Sequence, residues 1–383
     1  MIRSFEGARG LAALLVALFH LHLALFVPFI AQGYLFVDLF FVLSGYLICS
    51  IYTERLTQRD QFAPFIVRRF GRLFPLLIAS TIVYLLVVNG VAFVKNEAVA
   101  RGLTKFSSGI SAVPYTVPTL AELSATVTMT HALGLFDRLI LNSVSWSISV
   151  EFYTYLLFAA MCLLAPARFR MVVFGMLAIA AYIVTVIASV VRHDCFAAGH
   201  CMDVTYDFGF ARCVAAFFLG ALTWHAGRGL GQVNDRTRSR LQWIALTALV
   251  LIFSLVERMP VLTFACPLVF ALLVFSLERD TGPLGTLLQR PVFQLLGERS
   301  YSIYMVHPIL LMVLEPVRKK LHQLPGGDAL LLVAYVCIAI WIAGYSYRWI
   351  EAPWRGYFNR IADRLTPRRA ADAAPRSQVR RRV

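Results

Sequence analysis

The stretch LAALLVALFHLHLALFVPFIA, Leu11 to Ala31, decides how the rest of the chain is read. A run of roughly 20 apolar residues crosses the hydrocarbon core of a bilayer as one helix. His20 stands near its middle, and Arg9 lies eleven residues earlier. An ionisable side chain inside a span is costly, so it marks a functional site by default. Eleven residues close three helical turns, so Arg9 and His20 share one face, roughly 16 Å apart along the axis. A cation at the membrane edge and a proton-transfer group at mid-depth point to chemistry supplied from one side of the membrane. The plainer alternative is that an intramembrane His bonds a neighbouring helix. That is the role expected of His22.

Of the 383 residues, 59% are apolar, against about 45–50% in a soluble domain. The expected fold class is an all-α polytopic membrane protein. The first run meets the next apolar segment without a small-residue cleavage site, so it reads as a span and not a removable signal. The formal charge of +15 comes largely from arginines outside the spans. Lys and Arg collect in cytoplasmic loops beside anionic lipid, so the charge implies a bilayer and no nucleic acid. Of seven cysteines, Cys49, Cys162, Cys213, Cys266 and Cys337 fall in or beside apolar runs and read as small inert hydrophobes. Cys195 and Cys201 share a short polar loop. His193 and His200 beside them lack zinc spacing, so no metal is expected, and a local disulfide is the better reading if the loop is extracytoplasmic.

Ten segments read as spans: 9–31, 33–52, 74–94, 145–165, 171–191, 207–226, 242–258, 260–277, 297–316 and 329–349. Basic residues follow spans two, four, six and ten, which puts all four regions on one side and both termini in the cytoplasm. Arg318, Lys319 and Lys320 break the rule. Residues 95–143 form the single long loop, expected outside and partly irregular. No internal repeat at a fixed period is visible. Residues 1–355 form the expected membrane domain, and 356–383 a basic, disordered cytoplasmic tail. The inner (plasma) membrane is the expected location.

Four further polar stretches interrupt the apolar pattern. Asp38 and Ser44 lie in span two, and Arg68, Arg69 and Arg72 sit at the inner edge of span three. Trp146, Ser147 and Glu151 enter span four from outside, and Tyr301, Tyr304 and His307 share a face of span nine. His20, Asp38 and Glu151 are expected to converge in the outer half, with Arg69 and Arg72 on one helix face at the opposite edge. Each has a plainer role: the arginines as topological anchors, Asp38 paired with a buried donor, the tyrosines and His307 as interhelical bonds. Glu151 needs a partner or a water-filled cavity. Together they admit a mechanism. A phosphate-rich donor docks on the arginines, whose planar forks suit phosphate. His20 serves as general base on an acceptor hydroxyl, or as a transient nucleophile. Glu151 or Asp38 orients the imidazole, as the third member of a triad does.

With these stretches quoted, the chain resembles the acyltransferase-3 family of integral membrane O-acyltransferases. The resemblance runs through RGLAALLVALFH (9–20), VDLFFVLSGYLI (37–48), RFGRLFP (69–75), SWSISVE (145–151), SYSIYMVHP (300–308) and YRWIEAP (347–353), in the family's order. It implies transfer of an acyl group, often acetyl, from cytoplasmic acyl-coenzyme A to a hydroxyl of a surface or exported glycan or glycolipid. It implies that Arg9 and His20 are essential, that Arg69 and Arg72 meet the coenzyme phosphates, and that Glu151 is the family's carboxylate. Two departures stand out. Phe152 and Tyr153 follow Glu151 where many relatives carry a second acid or amide. The C-terminal hydrolase-like domain of some relatives is not in this sequence, so the chain is expected to act alone or with a separate extracytoplasmic transferase. Two other functions use the same residues: a proton-coupled transporter, and a translocator handing the acyl group to a separate transferase. A carrier needs no phosphate-docking arginines at the inner edge.

Overall fold

The computed structural model describes residues 2–21, 28–102, 112–230 and 233–366. Its long helices in chain order are α1 (Arg3–His20), α2 (Phe36–Tyr52), α3 (Phe62–Ala100), α4 (Trp146–Leu164), α5 (Arg170–Ile187), α6 (Gly209–Gly229), α7 (Asp235–Leu255), α8 (Cys266–Leu277), α9 (Ser300–Leu321), α10 (Gly327–Ser346) and α11 (Ala352–Leu365). Among the described residues nine helical segments are long and apolar enough to cross a membrane. They coincide with nine of the ten predicted spans, so the chain is an all-α polytopic membrane protein. The remaining predicted span contains α1, which carries Arg3, Glu6 and Arg9 and ends at His20. Pro28–Ala31 is a separate helical turn, and His22 lies outside the described residues.

α1 starts at Arg3 because another segment caps it. The backbone N–H groups of Arg3 and Ser4 donate to the two oxygens of Asp280, at 3.0 and 2.6 Å. A carboxylate there satisfies orphan donors and complements the positive end of the helix. The Ala12, Ala13, Val16 and Ala17 side chains of α1 are almost wholly buried. In the most apolar stretch of α2, 72% is buried, against 22% for those of α3 and α5. α2 is therefore central, while α3 and α5 present Leu86, Ile82, Met176 and Ile179 outward. Outward apolar side chains are what lipid requires.

Close crossings depend on glycine. A Cβ on Gly45 of α2 would lie 1.8 Å from the Phe217 carbonyl oxygen of α6, and one on Gly220 of α6 would lie 2.0 Å from that of Val42. Small residues let helix backbones approach in this way and gain van der Waals contact where no hydrophobic drive exists.

Two boundaries differ from the sequence reading. α3 begins at Phe62, twelve residues before the predicted 74, and spans 39 residues, about 58 Å. Hydropathy placed the basic 68–72 stretch outside the span, whereas tertiary partners half-bury it. At the other end, a π-turn at Tyr347–Glu351 joins α10 to α11. Residues 356–365, placed in the tail by sequence, are therefore helical, and residues 367–383 lie outside the description. Beyond α3 the long loop is held by side-chain amides. Asn89 donates to and accepts from the backbone of Thr116, and Asn96 does the same with Val113. Seven helical residues and three extended ones both cover roughly 10 Å, so the two amides match the segment's repeat. Thr119 and Glu122 then form a capping box that opens the helix Leu120–Val127.

Candidate active site

Among the described residues three cavities touch α1: one at the level of Arg9 and two that reach His20, of which one adjoins the Arg9 cavity and the other lies against Leu311 and Glu315. The first is lined by Arg9, Ser44, Arg69, Arg72, Ser147, Glu151, Tyr155, Tyr301 and Tyr304. The second is lined by His20, Tyr34, Trp146, Asp203, Arg212 and Tyr304 among others. Val37 and Tyr304 belong to both linings and form the partition between them. The Tyr304 hydroxyl donates to the Val144 carbonyl at 3.0 Å and accepts from Ser147 at 2.9 Å. Phe40 meets its ring edge-on.

Three arginines and one carboxylate line the Arg9 cavity. Arg9 pairs with Glu6 at 3.2 Å on its own helix. Arg72 pairs at 2.6 Å with the buried Glu351, which also accepts from Ser302. The π-turn brings Glu351 to that position, and such turns recur at functional sites. Arg69 has no ion-pair partner among the described residues. Its guanidinium sits among the rings of Tyr52, Phe65 and Tyr155, and its buried Nε lacks a hydrogen bond. Arg68 turns away and pairs with the exposed Asp363 at 2.6 Å. Arg69 and Arg72 share one face and line the same cavity as Glu151, from which the sequence reading had separated them. The early start of α3 is the reason.

Glu151 anchors a three-oxygen cluster. Its Oε1 accepts from Ser44 Oγ at 2.6 Å and from the Tyr155 hydroxyl at 2.5 Å, and the two hydroxyls are 2.8 Å apart. This satisfies the partner that a carboxylate in a span requires.

His20 lies on the second cavity. Its Nδ1 is 2.9 Å from the Val16 carbonyl oxygen. A carbonyl only accepts, so the neutral imidazole carries its proton on Nδ1 and its lone pair on Nε2. The same Nδ1 lies 3.3 Å from Nε2 of the buried His307. The expected triad is not formed: Glu151 lines the other cavity, and both Asp38 oxygens are taken by Arg212, at 3.0 and 2.8 Å. Arg212 is itself 1% exposed and also donates to the Tyr34 and Val204 carbonyls. Its guanidinium lies 5.5 Å from the Trp146 ring. Depth along a span aligned Asp38 with His20, but side-chain direction, which depth does not specify, separates them. Nearby, Ser145 at the start of α4 is held through its carbonyl and hydroxyl by His131, whose pKa burial pushes down.

Sequence reading missed Arg212, Tyr155 and Glu351 as members of the site. Arg212 was legible as an arginine inside an apolar run, and Tyr155 as the residue one turn beyond Glu151. Nothing local signals that Glu351 reaches Arg72. Cys195 and Cys201 are joined by a disulfide. Among the described residues, no three of His, Cys, Asp and Glu are placed to hold a metal ion.

The chain is 27% identical over 380 residues to a peptidoglycan O-acetyltransferase of Listeria monocytogenes, covering 94% of this chain and 57% of that protein. It is 26% identical over 376 residues to a Bacillus subtilis protein named provisionally as a peptidoglycan O-acetyltransferase, covering 92% and 55%. It thus spans about half the length of these curated relatives. No solved structure matches it. The acyltransferase-3 family, described as an acyltransferase domain, matches residues 2–348. The chain belongs to the acyltransferase-3 family.

Proposed function

We propose that this protein is a membrane O-acyltransferase that moves an acyl group, most simply acetyl, from acyl-coenzyme A to a hydroxyl of a cell-surface or exported glycan. The observation that carries the reading is the pair of cavities meeting at Val37 and Tyr304, with Arg9 on one and His20 on the other. The names of two relatives put peptidoglycan among the acceptors to be tested.

The arginine-lined cavity fits a donor that carries phosphates. Arg69, with its buried unpartnered Nε, and Arg72, oriented by Glu351, present guanidinium forks suited to phosphate. Arg9, paired with Glu6, adds a third guanidinium, and Arg68 stays with Asp363 outside the lining. The coenzyme supplies an acyl group activated as a thioester. His20 Nε2 accepts the proton of the attacking hydroxyl, and the Val16 carbonyl and His307 hold the ring in the matching tautomer. The products are the ester and the free coenzyme thiol, which takes up the proton. The Ser44–Glu151–Tyr155 cluster is a positioning element of the donor cavity, and Asp38 is the structural counter-ion of Arg212. The donor side faces the cytoplasm of the plasma membrane with both termini, by the basic-loop rule.

The test compares alkali-labile acyl esters on surface glycans from native cells, a deletion strain, and that strain carrying His20→Ala. Esters lost on deletion and not restored by the variant support acyl transfer. Unchanged esters, together with no thermal stabilisation of the purified protein by millimolar coenzyme A, would favour the carrier reading. Coenzyme stabilisation with acyl groups found only on a second protein would favour the translocator.

A further inference from the structure

We propose that the His20 cavity is a site for one uncharged sugar ring, with its polar wall supplied by the loop that the Cys195–Cys201 disulfide closes. The proposal rests on the acyl-transfer reading above, since the ring would be the acceptor.

The loop between α5 and α6 is tied at nearly every available point. The Tyr34 hydroxyl donates to the Cys201 carbonyl at 2.9 Å, and Arg212 reaches the Val204 carbonyl. The Gly134 N–H donates to the Tyr206 carbonyl at 2.9 Å, and His193 closes the base on Asp207 at 2.7 Å. The disulfide sulfurs belong to residues with no exposed surface. Between these ties, Asp203 and Thr205 line the cavity. Among the described residues neither side chain has a hydrogen-bond or ion-pair partner. A fixed loop therefore presents an unused carboxylate and an unused hydroxyl to the space that His20 faces.

The rest of the lining suits a sugar. Trp146, Tyr34 and Tyr206 contribute aromatic surface, and Ser143 a further hydroxyl. Apolar walls with a few placed polar groups are the usual form of a small-molecule site. The cavity volume of about 320 Å³ has room for a sugar ring. Charge then narrows the class. Arg212 is neutralised by Asp38 and His193 faces Asp207, which leaves Asp203 as the unpaired charge on this wall. A neutral ring can donate hydroxyls to that carboxylate, whereas a uronate or a phosphorylated sugar would meet like charge.

The experiment uses the full-length protein in nanodiscs with saturating acetyl-coenzyme A and reads release of the free thiol. The acceptors are methyl glycosides of glucose, galactose and N-acetylglucosamine, and the corresponding methyl uronides. Neutral glycosides are expected to be acylated with kcat/KM at least tenfold above the uronides. Asp203→Asn should raise KM for the neutral acceptor about tenfold, leave kcat within twofold, and narrow the neutral-to-uronide ratio. Replacing both Cys195 and Cys201 by Ser should raise KM in the same way while stabilisation by coenzyme A is retained. Uronides used as well as neutral glycosides, an unchanged KM in Asp203→Asn, or no neutral glycoside acting as acceptor or inhibitor overturns the proposal. If coenzyme A also fails to stabilise the wild-type protein, the acyl-transfer reading falls with it. If stabilisation persists, the sugar site alone is wrong.

Discussion

Asp38→Asn should cost the fold about 3–5 kcal/mol, the usual penalty for breaking a buried ion pair from one side. Asp38 has no exposed surface and Arg212 has 1%. Two bonds of 3.0 and 2.8 Å join them. An asparagine can accept one bond through Oδ1, but its Nδ2 points a donor at a donor, and the guanidinium charge is left buried without a counter-ion. Arg212→Gln should cost a similar amount for the mirror-image reason. Once neither charge is present, the double variant should lose less than the sum, with a coupling of roughly 2–3 kcal/mol. It will not recover fully, because the Tyr34 and Val204 carbonyls lose a donor. The assay is unfolding free energy from titration of mild-detergent micelles with a denaturing detergent, over the four proteins of the cycle. A single-variant loss under about 1 kcal/mol, or strict additivity, would refute the argument. A double variant that is stable yet inactive would instead give the Asp38–Arg212 pair a part in the site beyond stability.

Four other outcomes follow from the geometry. His20→Ala should lower turnover by about 10²–10⁴-fold with normal membrane insertion, measured as thiol release. Arg69→Ala should abolish most of the thermal stabilisation by coenzyme A, whereas Arg68→Ala should leave it nearly intact, because Arg68 faces Asp363. Gly45→Ala should destabilise by about 1–3 kcal/mol, seen in the same detergent titration, because its Cβ would overlap the Phe217 carbonyl. Burial lowers the His131 pKa below its ordinary 6.5. The unfolded chain then binds the extra proton, so stability is lost as pH falls below about 6.5. His131→Gln should show a shallower loss over that window.

The apolar runs made the spans legible, because lipid imposes a length and composition that survive in one sequence. The shared face of Arg9 and His20 was legible for a similar reason: helical period alone fixes it. What escaped were pairings between distant segments. Asp38 and Glu151 have similar depth and chemistry, but one meets an arginine on α6 and the other a serine on α2 and a tyrosine one turn on. The start of α3 was misplaced because hydropathy treats Arg69 and Arg72 as solvated, while aromatic rings and Glu351 supply their surroundings. The Gly45–Gly220 crossing is equally silent, since a glycine reveals close approach only once its neighbour is known.

The thin partition at Val37 and Tyr304 has an electrical consequence. Cavities lined with arginine, glutamate and aspartate admit water, and water carries each bulk potential inward. If the two cavities open to opposite faces of the bilayer, the membrane voltage falls mainly across the residues common to both linings, Val37 and Tyr304. Each elementary charge moved through that layer exchanges about 2.3 kcal/mol per 100 mV with the field. A neutral acyl group exchanges nothing, while the multiply charged coenzyme would do work in proportion to its charge. In the proposed transfer the same layer would pass the neutral cargo and keep its carrier on the side where it bound, so the one charge crossing it would be the proton that the coenzyme thiol takes up.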